Sequence, residues 1–444
     1  MQDNEHTHST REGLSRRAFL KTSAAAGAAS VLSYATFAHA QGSDKIRVGL
    51  IGCGGRGTGA GIIDCASSSE GVELVALGDL FQDQLDSAPE RIKANLAHRN
   101  LPVDEIYKVT PDAMFVGFDA YKKVLACDLD MVILTTPPYF RPAYYKAAIE
   151  AGKHVFAEKP VAVDPTGVRD FIATSKLATE KGLCVVAGTQ MRRARHIMAV
   201  VEQIRKGALG EVVSGQCVRR GGGMLDWYAE SKEKPASWSE MEWQIRRWLF
   251  MTWLSGDFIV EMHVHNLDLL NWAMGANPVE CMAQGGRQVR TAPEYGNVYD
   301  HFSAEYEYPN GVRVEYMGCQ IDGVSTRNDL WIVGGKGKAY IDFGASFIEG
   351  EHPFRYDGPS VEPAIQEYAD LITAIRAGTP INEGQQVAES TMTAIIGRMS
   401  AYTGRAMKWD WAMNASKLDL GPEKLEFGDL PLEPVAIPGL TKLV

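Results

Sequence analysis

Residues Ile46 to Gly57 read IRVGLIGCGGRG: an apolar run of strand length followed by glycines at 52, 54 and 57 in the spacing G-x-G-x-x-G. A buried strand that passes straight into small residues favours a tight strand-to-helix turn, whose backbone can approach a pyrophosphate while free helix N–H groups bind it. Glycine supplies 44 of the 444 residues, so the spacing alone carries little weight. The next segment strengthens it. VELVALGDLF is a second apolar strand one helix-length later, and its Asp79 falls where the dinucleotide fold places a ribose-binding acid. Asp79 would repel a 2′-phosphate and Leu80 and Phe81 bring no cation to bind one, so NAD is favoured over NADP. A glycine-rich turn without a ligand is the alternative.

Strand and helix continue to alternate through DLDMVILTTPPYF, KHVFAEKPVAV and LCVVAGTQM. This pattern predicts an α/β chain whose residues 44–190 form a Rossmann-type, doubly wound parallel sheet, with ligands at the carboxyl ends of the strands. The cofactor-binding candidates at those ends are Gly52, Gly54, Gly55, Arg56, Gly57, Asp79, Thr136, Pro137, Glu158, Lys159 and Gln190. The chain is too long for one ordinary core. Beyond about residue 195, EVVSGQCVRR, VECMAQGGRQV, HFSAEYEYPNGVRVEYMGCQ and GKAYIDF read as antiparallel strands, with Pro309-Asn310-Gly311 as a hairpin turn. A second α/β domain with a large open, mainly antiparallel sheet is therefore expected over 191–360. Within it, 221–252 is a Trp-rich, charged insertion, read equally well as a roof for a pocket or as a surface elaboration. Helical patterns over 361–405 are expected to pack back on the first domain, and 406–444 to form an ordered arm or subunit contact.

The segment SRRAFLKTSAAAGAASVLSYATFAHA carries Arg16-Arg17, an Ala-rich apolar stretch and Ala38-His39-Ala40. It resembles a twin-arginine export signal over 1–40, cleaved after Ala40, and so predicts a periplasmic or otherwise exported protein. That route carries folded proteins, so a tightly held cofactor is expected. The formal charge is −10, and −11 without the leader, which excludes nucleic acid as a partner. No later stretch is apolar enough to span a bilayer. Seven scattered cysteines without a C-x-x-C pair read as neither a zinc knuckle nor a redox motif, and their odd number leaves a free thiol.

FIVEMHVHNLDLL, Phe258 to Leu270, brings Glu261, His263, His265 and Asp268 together. On a strand, Glu261, His263 and His265 would point one way, as a metal triad does. The helical character of LDLLNWAMG up to Gly275 favours a helix, on which Glu261, His265 and Asp268 share a face and His263 does not. No metal is expected.

GCGGRG, AGKHVFAEKP (Ala151 to Pro160) and the acid-x-x-x-His-x-x-Asp pattern of Glu261, His265 and Asp268 together resemble the Gfo/Idh/MocA family of oxidoreductases. TQMRR and KGALGEV extend the likeness over roughly residues 45–405. The resemblance implies a dinucleotide-binding domain and an α/β domain whose open sheet commonly makes the oligomer contact, hence a homodimer or homotetramer. It maps the family's lysine onto Lys159 and its histidine onto His265. The family's aspartate maps onto Glu261, and its small residue between acid and histidine onto His263; both are departures.

Oxidising a sugar hydroxyl requires a hydride acceptor and a base. Burial or nearby cations would lower the pKa of Lys159, and His265 titrates in the right range unperturbed. Lys159, His265 and Glu261 are the catalytic candidates, and Arg192, Trp253, Asp257, Glu261, His263 and His265 the substrate contacts; for His263 a core role is as good a reading. The expected function is an NAD-dependent carbohydrate oxidoreductase with Lys159 and His265 as acid–base pair. A redox-neutral NAD-dependent glycosidase, acting by ring oxidation, elimination and re-reduction, is the alternative, and a non-catalytic sugar-binding protein a third.

Overall fold

In the computed structural model, residues 44–223 and 233–444 are described; the expected export signal and part of the Trp-rich insertion lie outside them. Six strands form a parallel sheet: β1 (Ile46–Ile51), β2 (Val72–Asp79), β3 (Met114–Val116), β4 (Met131–Leu134), β5 (His154–Ala157) and β6 (Val185–Ala187), in the order β3-β2-β1-β4-β5-β6. β4 and β6 are buried along their whole length, as strands with helices on both faces must be. The sequence pattern missed the edge strand β3, which is only three residues long and partly exposed. Strand order reverses between β1 and β4, and a crevice opens there at the carboxyl ends.

The second sheet has nine strands. These are β7 (Val212–Gly221), β8 (Glu280–Gly286), β9 (His301–Glu307), β10 (Arg313–Gln320), β11 (Arg327–Gly334), β12 (Gly337–Asp342), β13 (Ser346–Gly350), β14 (Phe354–Arg355) and β15 (Met407–Lys408). Their order is β14-β13-β12-β11-β7-β10-β9-β8-β15, and every pairing is antiparallel except β7 with β10. At the predicted hairpin Gly311 has φ +77°, a left-handed conformation suited to glycine, and donates to the Tyr308 carbonyl at 2.8 Å. Along β10, Val314, Tyr316 and Gly318 are buried while Arg313, Glu315 and Met317 are exposed, so one sheet face covers the core and the other is open.

Residues 45–444 make one compact unit, and one apolar cluster runs from Val132 and Val155 through Phe258 and Leu267 to Phe302, Tyr306 and Ile395. The expected boundary near 190 falls between the two sheets, and a second apolar cluster, which includes Val48, Leu74, Ile133 and Leu371, belongs to the parallel sheet and the helices on it. The helix Gly384–Thr403 is the shared spine, buried along most of its length; its Arg398 donates to the carbonyls of Val163 (2.7 Å) and Gly256 (3.0 Å). The helix Pro363–Ala377 packs on the helix that follows the glycine turn. The C-terminal arm lies against its own chain: Leu420 N donates to Asp164, and the carbonyls of Gly428, Leu430 and Ala436 accept from Met241, Gln244 and Tyr299. Among the described residues no helix is long and apolar enough to cross a membrane, and all seven cysteines are free.

Candidate active site

The glycine turn is built by close approach. Gly52 has φ +100°, and a Cβ on Gly57 would lie 2.0 Å from the Gly52 carbonyl oxygen. Gly54 and Gly55 instead have nothing within 4 Å of a Cβ position and face open space. The chain then winds as a wide, π-type turn over Gly57–Gly61 before the helix Ile62–Ser68, a departure from the regular helix start expected. Asp79 accepts from Cys53 N at 2.6 Å and from Phe81 N at 2.9 Å, so the carboxylate shapes the turn as well as facing the cavity. Burial raises its pKa, and these backbone donors oppose the shift.

Every residue assigned to the cofactor lines one cavity of about 600 Å³, and so do Glu261 and His265. Lys159, just beyond β5, donates from Nζ to the Glu261 carbonyl at 2.7 Å and to Glu261 Oε1 at 3.1 Å. The segment around Glu261 is not the continuous helix that was expected. It forms two helices, Phe258–Glu261 and Val264–Met274, separated by Met262 and His263. In an unbroken helix the carbonyls of Glu261 and Met262 would accept from residues 265 and 266. Here the first accepts from Lys159 and the second from Arg219 Nη1, at 2.7 Å.

Burial lowers the Lys159 pKa, against the opposing pull of Glu261 and Glu158. His265 is also held well below its ordinary range, by burial first and then by Lys159 and Arg219. The expectation of an unperturbed histidine is corrected on this point: it is neutral near pH 7. Beside this pair, Glu158 accepts from Arg56 (Nε–Oε1 2.6 Å); burial pushes the Glu158 pKa up, but Arg56, Lys159 and Arg141 outweigh it and the net shift is downward.

The sequence reading did not single out Arg141 or Arg219, both of which line the cavity. Arg141 follows the Thr-Thr-Pro-Pro-Tyr-Phe loop and donates from Nη1 to the Pro160 carbonyl; its Nε is buried without a partner, and burial lowers its pKa to about 10. Arg219 lies on β7 and donates to Met262 and, at 3.2 Å, to Asn266 Oδ1. Position just past a strand end was the available signal for Arg141. For Arg219 there was none, because the cavity face of β7 is fixed only by sheet packing.

Four of the residues assigned to substrate do not line the cavity, and each has a structural partner. Arg192 forks onto Asp268 (Nε–Oδ2 2.8 Å, Nη2–Oδ1 2.9 Å), which also accepts from Ser390 and Gln386. Trp253 donates from Nε1 to Gln244 at 2.8 Å. Asp257, fully buried at φ +72°, accepts from Phe258 N, Tyr299 N and the Tyr402 hydroxyl, and so caps the Phe258–Glu261 helix. His263 turns to the second sheet, with Nδ1 2.5 Å from the Tyr316 hydroxyl and Nε2 3.3 Å from Gln320 Nε2. Its core reading is the one the packing supports. Among the described residues no three His, Cys, Asp or Glu side chains could hold a metal.

The insertion roofs the cavity through Ile245, Arg246, Trp248 and Leu249. The Arg246 guanidinium lies 3.9 Å above the Phe81 ring and pairs with Asp83 and Glu242. Leu80 and Phe81 bring no cation of their own, but Arg246 supplies one from far along the chain, although two carboxylates already attend it. Phe427 of the arm stacks on Phe81 at 5.9 Å and meets Phe118 at 5.1 Å. The cavity fits a dinucleotide: glycines leave room at one end, and Thr136 Oγ1 and Gln190 Oε1, both of cavity-lining residues, are buried without partners in the protein.

Residues 46–189 match the family model described as "Oxidoreductase family, NAD-binding Rossmann fold", and residues 197–340 match the "GFO/IDH/MocA C-terminal domain". Among similar curated proteins, the 2,7-anhydro-N-acetylneuraminate hydratase of Escherichia coli (strain K12) is 29% identical over 183 residues, covering 41% of this chain and 44% of that protein. A glycosyl hydrolase family 109 protein of Shewanella sp. (strain W3-18-1) is 30% identical over 174 residues, covering 39% of this chain and 34% of that one. The chain thus spans less than half the length of these relatives. The crystal structure of an aldose-aldose oxidoreductase from Caulobacter crescentus complexed with glycerol shares the fold, with a TM-score of 0.62 at 19% identity, covering 82% of this chain and 99% of that one.

Proposed function

We propose, from the premise that this chain belongs to the Gfo/Idh/MocA oxidoreductase family, that it is an NAD-dependent carbohydrate oxidoreductase with a tightly held cofactor. The observation that carries the reading is that Lys159, Glu261 and His265 line the same cavity as the Gly52–Gly57 turn. A bound nicotinamide would take hydride from the carbon bearing a sugar hydroxyl. The chain's own residues manage the proton. The single hydroxyl proton passes to neutral His265 as the carbonyl forms, while Lys159, its pKa brought down by burial, donates a hydrogen bond to the same oxygen. Glu261 holds the lysine in place. Arg246, Trp248, Leu249 and Phe427 close the cavity around the cofactor. The preference for NAD over NADP rests on Asp79, and association through the open sheet face is supported by exposed Met282 and Met317 there. The proposal includes export by the twin-arginine route, which leaves the resident cofactor to be regenerated on the protein.

A second reading, a redox-neutral glycosidase or lyase-type cycle, is favoured by the family 109 and hydratase relatives. One experiment separates the two. Cofactor is released from purified protein and identified, and the holoprotein is then incubated with sugars and aryl glycosides. Keto-sugar formation, paired with reduction of a second sugar and lost in Lys159→Ala and His265→Ala, is the expected result. Aglycone release without net change in nicotinamide redox state would replace it with the second reading, and absence of bound nicotinamide would refute both.

A further inference from the structure

The cavity's charges are unequally matched. Arg56 pairs with Glu158, Lys159 with Glu261, and Arg246 with Asp83 and Glu242. Arg91 is fastened to the glycine turn through the Cys53 carbonyl, at 2.7 Å, beside the place a pyrophosphate would take. Arg141 and Arg219 differ: among the described residues neither pairs with a carboxylate, and both donate only to neutral acceptors. They are fastened on either side of the Lys159–Glu261 ion pair, Arg141 to the residue after Lys159 and Arg219 to the residue after Glu261. Burial lowers the pKa of both guanidinium groups, and the carboxylates of Glu158 and Glu261, which form no ion pair with either, offset that only in part, so an anion arriving in the cavity would relieve the remaining desolvation penalty.

We propose that the sugar bound here is an acid, whose carboxylate is received by Arg219 with Arg141 behind it; this rests on the carbohydrate oxidoreductase reading above. A planar monoanion matches the edge a guanidinium still offers after giving one Nη to the protein, and two such edges suffice for it. A neutral hexose would leave both cations unmatched. The acid function also fixes which end of the sugar lies beside Arg219, and therefore which hydroxyl reaches Lys159 and His265.

The test uses the full chain carrying its cofactor, with D-glucuronate and D-galacturonate each compared with its own methyl ester, and with glucose 6-phosphate as a further arm. Dissociation constants are measured by calorimetry. At least one acid is expected to bind about 10- to 100-fold more tightly than its ester. Arg219→Gln should erase that ratio and Arg219→Lys retain part of it. Arg141→Gln should reduce it, and provides an independent variant should loss of the Arg219 bonds to Met262 and Asn266 disturb folding. Esters that bind as well as their acids would overturn the proposal, as would glucose 6-phosphate binding more tightly than either acid. Bound nicotinamide is assayed in the same samples: protein that oxidises neutral sugars with no preference for acids refutes this inference alone, whereas protein that holds no nicotinamide refutes the reading beneath it.

Discussion

Replacing Glu261 by Gln removes one charge from a pair whose members are only 12% and 10% exposed, with Nζ and Oε1 3.1 Å apart. At an effective dielectric of about 20 that separation corresponds to roughly 5 kcal/mol of attraction, which holds the Lys159 pKa up against the effect of burial. Loss of one partner of a buried pair typically destabilises by about 3–5 kcal/mol, the same range. The backbone bond from Lys159 to the Glu261 carbonyl survives the substitution, as does the influence of Glu158. The lysine should therefore stay in place and give up its proton more readily. Its folded-state pKa is already below the unfolded value, so the unfolded chain binds more protons in the window between them and stability rises with pH there. The variant widens that window downward. Urea denaturation across a pH series should thus show wild type and Glu261→Gln converging at alkaline pH. The gap should open by about 1.4 kcal/mol per unit as pH falls through the wild-type lysine pKa, then level off once the variant's lysine is protonated. The limb of kcat/KM against pH that belongs to the lysine should move to lower pH. A gap independent of pH, with an unmoved limb, would refute the assignment of this pair.

Histidine NMR should find the rings of His265 and His263 neutral from pH 8 down through pH 6, because burial and neighbouring cations hold both below the ordinary value; since unfolded histidines gain protons near pH 6.5, both contribute stability that is lost as the pH falls through that value. Arg192→Ala should lower stability by about 3–5 kcal/mol through the stranded Asp268, seen in denaturant unfolding, while KM for the sugar in the fraction that folds is unchanged. Phe427→Ala removes the ring stacked on Phe81 and meeting Phe118, contacts of about 0.5–1.5 kcal/mol each, so nicotinamide release followed by fluorescence should quicken by about fivefold to about a hundredfold with the fold intact.

The parallel sheet was legible because each of its main strands is a short apolar run bounded by turn residues, and because glycines 52 and 57 are dictated by backbone geometry that only one residue type satisfies. Lys159 could be placed at the cavity for the same reason of position, since it stands just past a strand end, whereas His265 was singled out by resemblance to the family. What stayed hidden depends on packing between distant segments. Nothing local to RNDLWIVG announced β11, whose partners β7 and β12 fix it in place. Arg192 and Asp257 read as substrate contacts until Asp268 is found within hydrogen-bond reach of the first and Tyr299 and Tyr402 close on the second. In FIVEMHVHNLDLL the helix breaks at Met262 and His263, yet Glu261 and His265 line the cavity and His263 does not, while Asp268 is held by Arg192 as a structural partner outside it.

The interruption at Met262 and His263 places a main-chain oxygen, in addition to a side chain, on the lysine. Residue 261 can consequently change its length or its charge while Lys159 remains tethered, since no substitution at that position deletes the carbonyl. A side-chain scan of this segment will therefore under-report how firmly the site is held, and only a backbone change, such as an ester in place of the amide that follows Glu261, would weaken that carbonyl as an acceptor and expose the remainder.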